Sequence, residues 1–311
     1  MSLPFAAGAA WIDGEFVPAR DARIRILDTG FVRSDLTYDV VGVWDGAFFR
    51  LDDHLERFKR NWLRLRLTPP LDRPEMRDVL IQLVARSGLR EAYVAMIVTR
   101  GVPGPGERDP RHFENRFYAY AIPYVWIVSP ELQQIGTHVV VARDTRRVPP
   151  GSFDPTVKNF QWGDLMRGLY EAYDRNAFTA ILTDGEGNVT EGPGFNVFAL
   201  IDGVLRTPDR GVFDGMTRRT IIELAAIEGI PAQAENMPVS TLYEAAELFM
   251  TSTAGGVMPV TTLDGAPVGD GRPGPITMRL REAYWAAHAN PRYTTSVTYS
   301  ADGAEDAGGL S

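Results

Sequence analysis

The spacing of apolar residues changes abruptly at Leu51, and this change restricts the folds that the chain can adopt. Upstream, segments 11–17 and 40–49 each consist of two extended pieces around an Asp-Gly turn, which is typical of β-hairpins. Downstream, apolar residues recur at steps of four and three as far as Leu65, so the pattern predicts a helix with one buried stripe. Residues 74–87 have the same period and predict a second helix.

The second half of the chain mixes both patterns again. Residues 138–142 and 177–183 resemble strands, whereas 165–175 and 217–228 have helical spacing. Because strands dominate each half and helices are interspersed, we predict the α+β class in two lobes.

The chain length predicts more than one domain. With 311 residues, the chain exceeds the size at which a single hydrophobic core usually stops growing. We predict a smaller N-terminal α/β domain at 1–125, an interdomain linker at 126–135 and a larger C-terminal domain at 136–311. The tail from residue 296 is polar and rich in small residues, so we expect it to be frayed.

Charge and cysteine content exclude several classes of function. Asp and Glu number 40 against 32 Lys and Arg, and a net charge of −8 disfavours nucleic acid as a partner. The absence of cysteine excludes disulfides, thiolate nucleophiles and Cys-ligated metals. The four histidines have no metal-ligand spacing, so we expect no metal. Without a membrane-spanning run or a signal-peptide pattern, we expect a cytoplasmic protein with no membrane partner.

Lysine chemistry has only two candidates in this chain. Lysine occurs at Lys59 and Lys158, and every other member of the 32 basic residues is arginine, which stays protonated. Lys59 lies among charged neighbours and is best explained as a solvated charge. Lys158 lies in the mostly uncharged stretch 154–162, where desolvation would lower the pKa of its amine and free it to form an imine.

Four other segments contain groups that would complement such a lysine. Glu191 begins an apolar, glycine-interrupted stretch and is either a buried carboxylate with a cationic partner or an exposed turn residue. Gly215-Met216-Thr217 is either an anion site at a helix start or a simple N-cap. The small residues at 251–256 suit a phosphate-binding turn or a plain loop, and Arg57 points inward or forms a surface ion pair. Together these residues supply an imine partner, a ring-nitrogen anchor and phosphate ligands, which pyridoxal 5′-phosphate (PLP) requires.

Several motifs resemble the fold-type IV PLP-dependent aminotransferases, the group of branched-chain and D-amino-acid aminotransferases and aminodeoxychorismate lyase. The motifs that resemble this group are Thr156-Val157-Lys158-Asn159, Thr190-Glu191-Gly192, Gly215-Met216-Thr217-Arg218 and Thr253-Ala254-Gly255-Gly256. The stretches 34–40, 51–55, 146–151 and 159–165 look most like the (R)-selective amine transaminases within it. The resemblance extends from residue 10 to residue 290 and implies the two-lobed fold of D-amino-acid aminotransferase, with mixed, barrel-like sheets and flanking helices.

The resemblance also implies a role for individual residues. Lys158 would form the Schiff base with PLP and shuttle the proton, while Glu191 would keep the pyridine nitrogen protonated. The residues implied in phosphate binding are Arg57, Met216, Thr217, Ser252 and Thr253. The residues implied in substrate binding are Tyr38 near Lys158, and Val40, Tyr93 and Trp162 in the hydrophobic part of the pocket.

The resemblance further implies how the active site is assembled and which enantiomer it uses. The site would lie between the lobes at the face of a homodimer. The exposed cofactor face would favour (R)-amines or D-amino acids, apart from branched-chain members, which turn the substrate around.

Two positions depart from the amine transaminase pattern. Gly106 stands where the relatives carry an arginine that grips the carboxylate of the keto acid, so Arg108 or Arg111 would have to replace it. Arg33 stands where some relatives have histidine, and it either lines the pocket or faces solvent.

Three functions remain in competition at this stage. The first is transfer of an amino group from an (R)-amine to an α-keto acid such as pyruvate. The second is a D-amino-acid or branched-chain aminotransferase, or a lyase, on the same scaffold. The third is a non-catalytic binding protein, and the presence of both Lys158 and Glu191 argues against it.

Overall fold

The computed structural model describes residues 5–299. Its strands are β1 (Ala9–Ile12), β2 (Glu15–Pro18), β3 (Leu36–Trp44), β4 (Ala47–Phe49), β5 (Ala92–Val102), β6 (Glu114–Pro123), β7 (Thr137–Arg146), β8 (Thr179–Thr183), β9 (Asn196–Ile201), β10 (Val204–Pro208), β11 (Ala232–Glu235), β12 (Glu247–Ser252), β13 (Gly256–Leu263), β14 (Ala266–Pro267) and β15 (Thr294–Ser296). Its α-helices are α1 (Thr29–Arg33), α2 (Leu51–Arg64), α3 (Arg73–Ser87), α4 (Pro130–Ile135), α5 (Gly163–Asp174), α6 (Met216–Ile227), α7 (Ser240–Tyr243) and α8 (Pro275–Ala287).

These elements form two compact units, each with its own sheet. The first unit contains the described residues up to Val125, the short segment Lys158–Phe160 and the described residues from His288. The second contains Trp126–Val157 and Gln161–Ala287. Helices and antiparallel or mixed sheets occur in both, so the predicted α+β class is confirmed.

The predicted domain boundaries stay a prediction, and the compact units differ from them at three segments. The C-terminal segment from His288 belongs to the first unit because β15 pairs with β4 in its sheet. Lys158–Phe160 also belongs to the first unit. The segment 126–135, predicted as a linker, contains helix α4 and belongs to the second unit.

The sheet of the first unit is antiparallel throughout, in the order β15-β4-β3-β5-β6-β1-β2. Helices α2 and α3 cover one of its faces. The predicted apolar stripe of α2 is buried against this face at Leu51, Leu55, Phe58 and Trp62. Burial of each such side chain contributes about 2 kcal/mol, so this face forms the main core of the unit.

The sheet of the second unit is mixed, in the order β11-β10-β9-β12-β13-β7-β8. Strand β7 is parallel to both β8 and β13, and β10 is parallel to β11, whereas the other neighbours are antiparallel. Helix α5 packs on β7 and β8, while α6 and α8 pack on each other and on β12. This arrangement brings the start of α6 close to the turn that joins β12 to β13.

The end of the described chain is more ordered than the sequence suggests. Val297 is buried in the core of the first unit, and the Tyr299 hydroxyl donates a 2.8 Å hydrogen bond to the Leu89 carbonyl. The rest of the tail predicted to be frayed, residues 300–311, lies outside the described residues. No helix within residues 5–299 has the length and apolar character needed to cross a membrane.

Candidate active site

Strand β3 holds Lys158 in the first unit. The carbonyl oxygen of Lys158 accepts hydrogen bonds from the Thr37 hydroxyl at 2.7 Å and from the Tyr38 amide at 3.2 Å. The Lys158 Nζ lies 4.7 Å from the centre of the Tyr38 ring, and the same ring contacts Phe160. Lys158 is half-buried. The lysine is therefore tied to the sheet through its own main chain and placed beside an aromatic ring.

The next residue of β3, Asp39, binds Arg57 and is completely buried. Its carboxylate accepts hydrogen bonds from Arg57 Nε at 2.8 Å, Arg57 Nη2 at 2.7 Å and His54 Nδ1 at 2.8 Å. Burial acts to raise the pKa of Asp39, but Arg57 and His54 outweigh it and hold that pKa well below its usual range. Arg57 thus points inward, held by a carboxylate that stays ionised at neutral pH.

Burial determines the protonation of His54. It lowers the pKa of His54 below its usual value, although the bond to Asp39 opposes this effect. At neutral pH the imidazole is therefore neutral. Since an ionised carboxylate only accepts hydrogen bonds, we assign the imidazole hydrogen to Nδ1, which donates to Asp39.

The opposite face of the first sheet bears an uncharged surface that we call the apolar patch. It consists of Leu36, Tyr38, Val40, Tyr93, Ala95, Ile97 and Tyr120. The rings of Tyr93 and Tyr120 stack 6.4 Å apart, and burial raises the pKa of both phenols. Three of the predicted substrate residues, Tyr38, Val40 and Tyr93, thus lie on one surface together with Tyr120. The phenols of Tyr93 and Tyr120 remain protonated hydrogen-bond donors at neutral pH.

The arginines considered for substrate binding lie elsewhere on the first unit. Arg33 ends the short helix α1 and is exposed, and Arg108 is exposed in the loop before β6. Arg111 is also exposed and forms an ion pair with Asp109, which raises the pKa of its guanidinium. None of these three arginines belongs to the apolar patch.

The second unit buries Glu191 and supplies both of its carboxylate oxygens with donors. Arg147 donates to Oε1 from Nε at 3.0 Å and from Nη2 at 2.9 Å, and the Phe213 amide donates to Oε2 at 2.9 Å. A second carboxylate, Asp164, accepts from Arg147 Nη1 at 2.6 Å. These two carboxylates raise the pKa of Arg147 despite its burial, so the guanidinium is a permanent positive partner for Glu191.

Close packing fixes the backbone on either side of Glu191. The Thr190 hydroxyl donates to the Leu182 carbonyl at 2.7 Å. At Gly192 a Cβ would lie 2.1 Å from the Phe195 ring and 2.5 Å from the Ala180 carbonyl oxygen, so only glycine fits.

Tyr284 of α8 contacts both the start of α6 and the glycine that ends the turn 252–256. Its hydroxyl lies 3.4 Å from Thr217 Oγ1, the first hydroxyl of α6. Its ring packs so closely on Gly256 that a Cβ there would lie 2.9 Å from it. Gly256 ends the turn that contains Ser252 and Thr253, which are both half-buried. Met216 and Thr217 are buried at the adjoining N-terminus of α6, while Trp162 precedes α5 and packs against its core cluster.

The donors of the second unit fit a phosphorylated, ring-nitrogen cofactor. Hydroxyl and amide groups at 216–217 and 252–256 are suitable ligands for a phosphate. The Thr251 Oγ1 atom, directly before this turn, is buried without a hydrogen-bond partner in the described chain. Glu191 is an ionisable acceptor of the kind that a protonated ring nitrogen needs. Within residues 5–299, no cluster of three or more His, Asp or Glu side chains is arranged to bind a metal.

Sequence reasoning missed the residues that orient the predicted ones. Arg147, Asp164 and the Phe213 amide surround Glu191, and Asp39 with His54 holds Arg57. The double arginine at 146–147 directly after a strand was the available signal for Arg147. No sequence signal pointed to the Phe213 amide, because every residue except proline has a main-chain amide donor.

Comparison with known proteins gives consistent matches along most of the chain. The family model of class IV amino-transferases matches residues 36–263. A branched-chain-amino-acid aminotransferase of Pseudomonas aeruginosa is 31% identical over 294 residues, which cover 92% of this chain and 94% of the relative. A D-alanine aminotransferase of Listeria monocytogenes is 30% identical over 286 residues, covering 88% and 93%. The crystal structure of a T.th. branched-chain amino acid aminotransferase with pyridoxamine 5′-phosphate is similar at a TM-score of 0.86 and 28% identity, covering 94% of this chain and 100% of that one.

Proposed function

Because the chain belongs to the class IV aminotransferase family, we propose that it moves an amino group from an (R)-amine to an α-keto acid such as pyruvate. Membership of the family makes the protein a PLP-dependent aminotransferase of fold type IV. The substrate class and the role of each residue are our proposal.

The residues that would hold PLP are those that the sequence motifs singled out. Lys158 would be the amine that binds the cofactor covalently, and Glu191 would accept a hydrogen bond from its ring nitrogen. Arg57, Thr217, Ser252 and Thr253, with the Met216 amide, would bind its phosphate. The ion pairs Asp39–Arg57 and Arg147–Glu191 support these roles, since each fixes the orientation of one ligand before the cofactor arrives.

The bound cofactor supplies an electron sink that stabilises negative charge on the substrate carbon. The protein contributes proton transfer and charge. Lys158 Nζ would remove the proton from that carbon and hand it to the cofactor, and in the reverse half-reaction it would return a proton to the substrate carbon. Glu191, whose carboxylate is held by Arg147, would keep the ring nitrogen protonated.

The uncharged character of the apolar patch is the observation that carries the substrate class. Tyr38 joins this patch to Lys158, so a substrate carbon at the lysine amine would have apolar and phenolic neighbours. Arg108 and Arg111 of the loop before β6 are exposed, and Arg111 already forms an ion pair with Asp109. This surface suits an amine with two apolar substituents. The carboxylate of the keto acid acceptor still requires a cationic or multiple-donor partner, and Arg108 of the exposed loop is our candidate for it.

A second candidate is a branched-chain or D-amino-acid aminotransferase. The relatives named above support it, because two are branched-chain aminotransferases and one is a D-alanine aminotransferase. An apolar patch with three phenols also accommodates a branched side chain, and a lyase on the same scaffold is not favoured by any of these relatives.

A half-reaction panel distinguishes these candidates. The holoenzyme is mixed separately with (R)-1-phenylethylamine, (S)-1-phenylethylamine, D-alanine and L-leucine, and conversion of bound PLP to pyridoxamine 5′-phosphate is followed by absorbance. We expect fast conversion with the (R)-amine and little with its (S)-enantiomer. Conversion with L-leucine or D-alanine alone would contradict the amine proposal and support the second candidate.

We further propose that the enzyme is a cytoplasmic homodimer that takes small-molecule substrates and binds neither nucleic acid nor membrane. Support for self-association comes from the segment 24–32 of the first unit. Its exposed apolar side chains are Ile24, Ile26, Leu27, Phe31 and Val32, each at least half exposed. Such a concentration of exposed apolar residues is typical of an interface.

A further inference from the structure

A completely buried glutamine, Gln133 of helix α4, lies behind the turn that we assign to phosphate binding. Its Nε2 donates to the Gly255 carbonyl at 3.1 Å and to the Val128 carbonyl at 2.9 Å. The side chain is 0% exposed, so these bonds are not exchanged for water. A single side chain thus ties the segment before α4 to the turn Ser252–Gly256.

The neighbouring carbonyl of the turn is held from the same segment. The Ile127 amide donates to the Ala254 carbonyl at 2.8 Å. In a trans peptide the carbonyl points away from the following amide, and the described chain has no cis peptides. With both carbonyls directed at 127–133, the Gly255 and Gly256 amides are turned to the opposite side.

Arg281 of α8 completes the arrangement. Its Nε donates to Gln133 Oε1 at 2.9 Å, and a charged donor on the amide oxygen strengthens the hydrogen bonds that the amide nitrogen donates. The same helix carries Tyr284, which packs on Gly256 and contacts Thr217. Helix α8 therefore supports the turn directly through Tyr284 and indirectly through the bond from Arg281 to Gln133.

The glycines of the turn depend on this support. Gly255 has φ +151° and Gly256 has φ +68°, backbone conformations that are rarely adopted by residues with a side chain. Glycine also has the largest conformational freedom to lose, so two consecutive glycines need external contacts to hold one conformation. The hydrogen bonds from Gln133 and Ile127 provide those contacts.

We propose that Gln133 is a positioning residue that fixes the turn Ser252–Gly256 for the phosphate of the cofactor, and so sets selectivity for the phosphorylated form. This inference rests on the proposed phosphate site. It gives the segment 126–135 a part in cofactor binding, beyond connecting two halves of the chain.

The test compares cofactors with and without the phosphate. Apo-enzyme is titrated with PLP and with pyridoxal, and dissociation constants are obtained from quenching of tryptophan fluorescence. In Gln133→Met, which keeps the length of the side chain and removes its donor, we expect PLP to bind about tenfold more weakly, because two buried carbonyls lose their partner. Pyridoxal, which does not use the turn, should bind within about twofold of wild type.

Gln134→Met is the matched control, because Gln134 is the exposed neighbour on the same helix. It should change neither constant. If Gln133→Met does not fold, Arg281→Met is used in its place, because it removes the donor to Gln133 Oε1. We then expect PLP to bind about threefold more weakly and pyridoxal to bind as in wild type. Equal losses for PLP and pyridoxal, or no loss for either, would overturn the role of Gln133. Failure of the wild type to bind PLP would instead contradict the proposed function itself.

Discussion

At the level of single residues, one buried carboxylate sets the charge of its surroundings. Asp39 is completely buried and stays ionised because Arg57 and His54 both donate to it. Removing one partner of such a buried pair typically costs about 3–5 kcal/mol, since the other charge is left without compensation. The same bonds hold the Arg57 guanidinium in one orientation.

His54 makes folding stability depend on pH. Its pKa in the folded protein lies below the ordinary value of 6.5, so below that pH the unfolded chain binds a proton that the folded chain does not. Stability should therefore fall as the pH drops below 6.5. In His54→Asn the asparagine amide replaces the Nδ1 donor and does not titrate. The loss of stability that comes from His54 should therefore be absent in this variant.

Urea unfolding of both proteins at neutral and at mildly acidic pH measures this contribution. We expect the difference in free energy of unfolding between wild type and His54→Asn to shrink by about 1 kcal/mol for each pH unit below 6.5. The carboxylates shared by both proteins cancel in the comparison. A constant difference between them at all pH values would contradict a neutral His54.

At the level of secondary structure, the loop between β8 and β9 positions Glu191. In Gly192→Ala the new Cβ would lie 2.1 Å from the Phe195 ring, which is buried and cannot move away. We expect a loss of about 2 kcal/mol in the free energy of unfolding and weaker PLP binding. Urea unfolding and fluorescence titration measure the two effects.

Gly185→Ala is the control for this substitution. Gly185 lies in the neighbouring turn, has no heavy atom within 4 Å of an added Cβ and does not have a positive φ. It should change stability by less than about 0.5 kcal/mol and leave PLP binding unchanged. Equal effects of the two substitutions would show that packing at Gly192 does not position Glu191.

The elements with a clear period could be predicted from sequence, whereas the contacts between distant segments could not. The stripe from Leu51 to Trp62 is confirmed as the buried face of α2 because helical spacing is a local property. Helix α4 was missed since six residues are too few to show a period. The pairing of β15 with β4 joins residues far apart in sequence, and nothing local encodes it.

Sequence motifs pointed to candidate ligands of the cofactor but not to the residues that hold those ligands in place. Resemblance to a family pointed to Lys158, Glu191 and Thr217 because these residue types occur in recognisable motifs. Arg147 and Gln133 act through hydrogen bonds to a carboxylate and a main-chain carbonyl, and either bond could be made from many positions. The roles of all these residues remain proposals.

At the level of the whole molecule, the exposed segment 24–32 predicts self-association. Light scattering after size exclusion should give twice the chain mass of 34.4 kDa. Phe31→Asp places a charge among the exposed apolar side chains and should shift the enzyme towards the monomer. Ile227→Asp, a similar change at an exposed residue of α6, is the control and should remain dimeric. A monomeric wild type, or a dimeric Phe31→Asp, would contradict this interface.

The central claim is that one amine of this chain binds PLP covalently, and the chain offers two lysines for the test. The holoenzyme is reduced with borohydride and digested, and the peptide that carries the reduced cofactor is identified by mass spectrometry. We predict a yellow protein and a single modified peptide that contains Lys158, unchanged in Lys59→Ala and lost in Lys158→Ala. A colourless, unmodified protein, or modification at Lys59, would contradict the account.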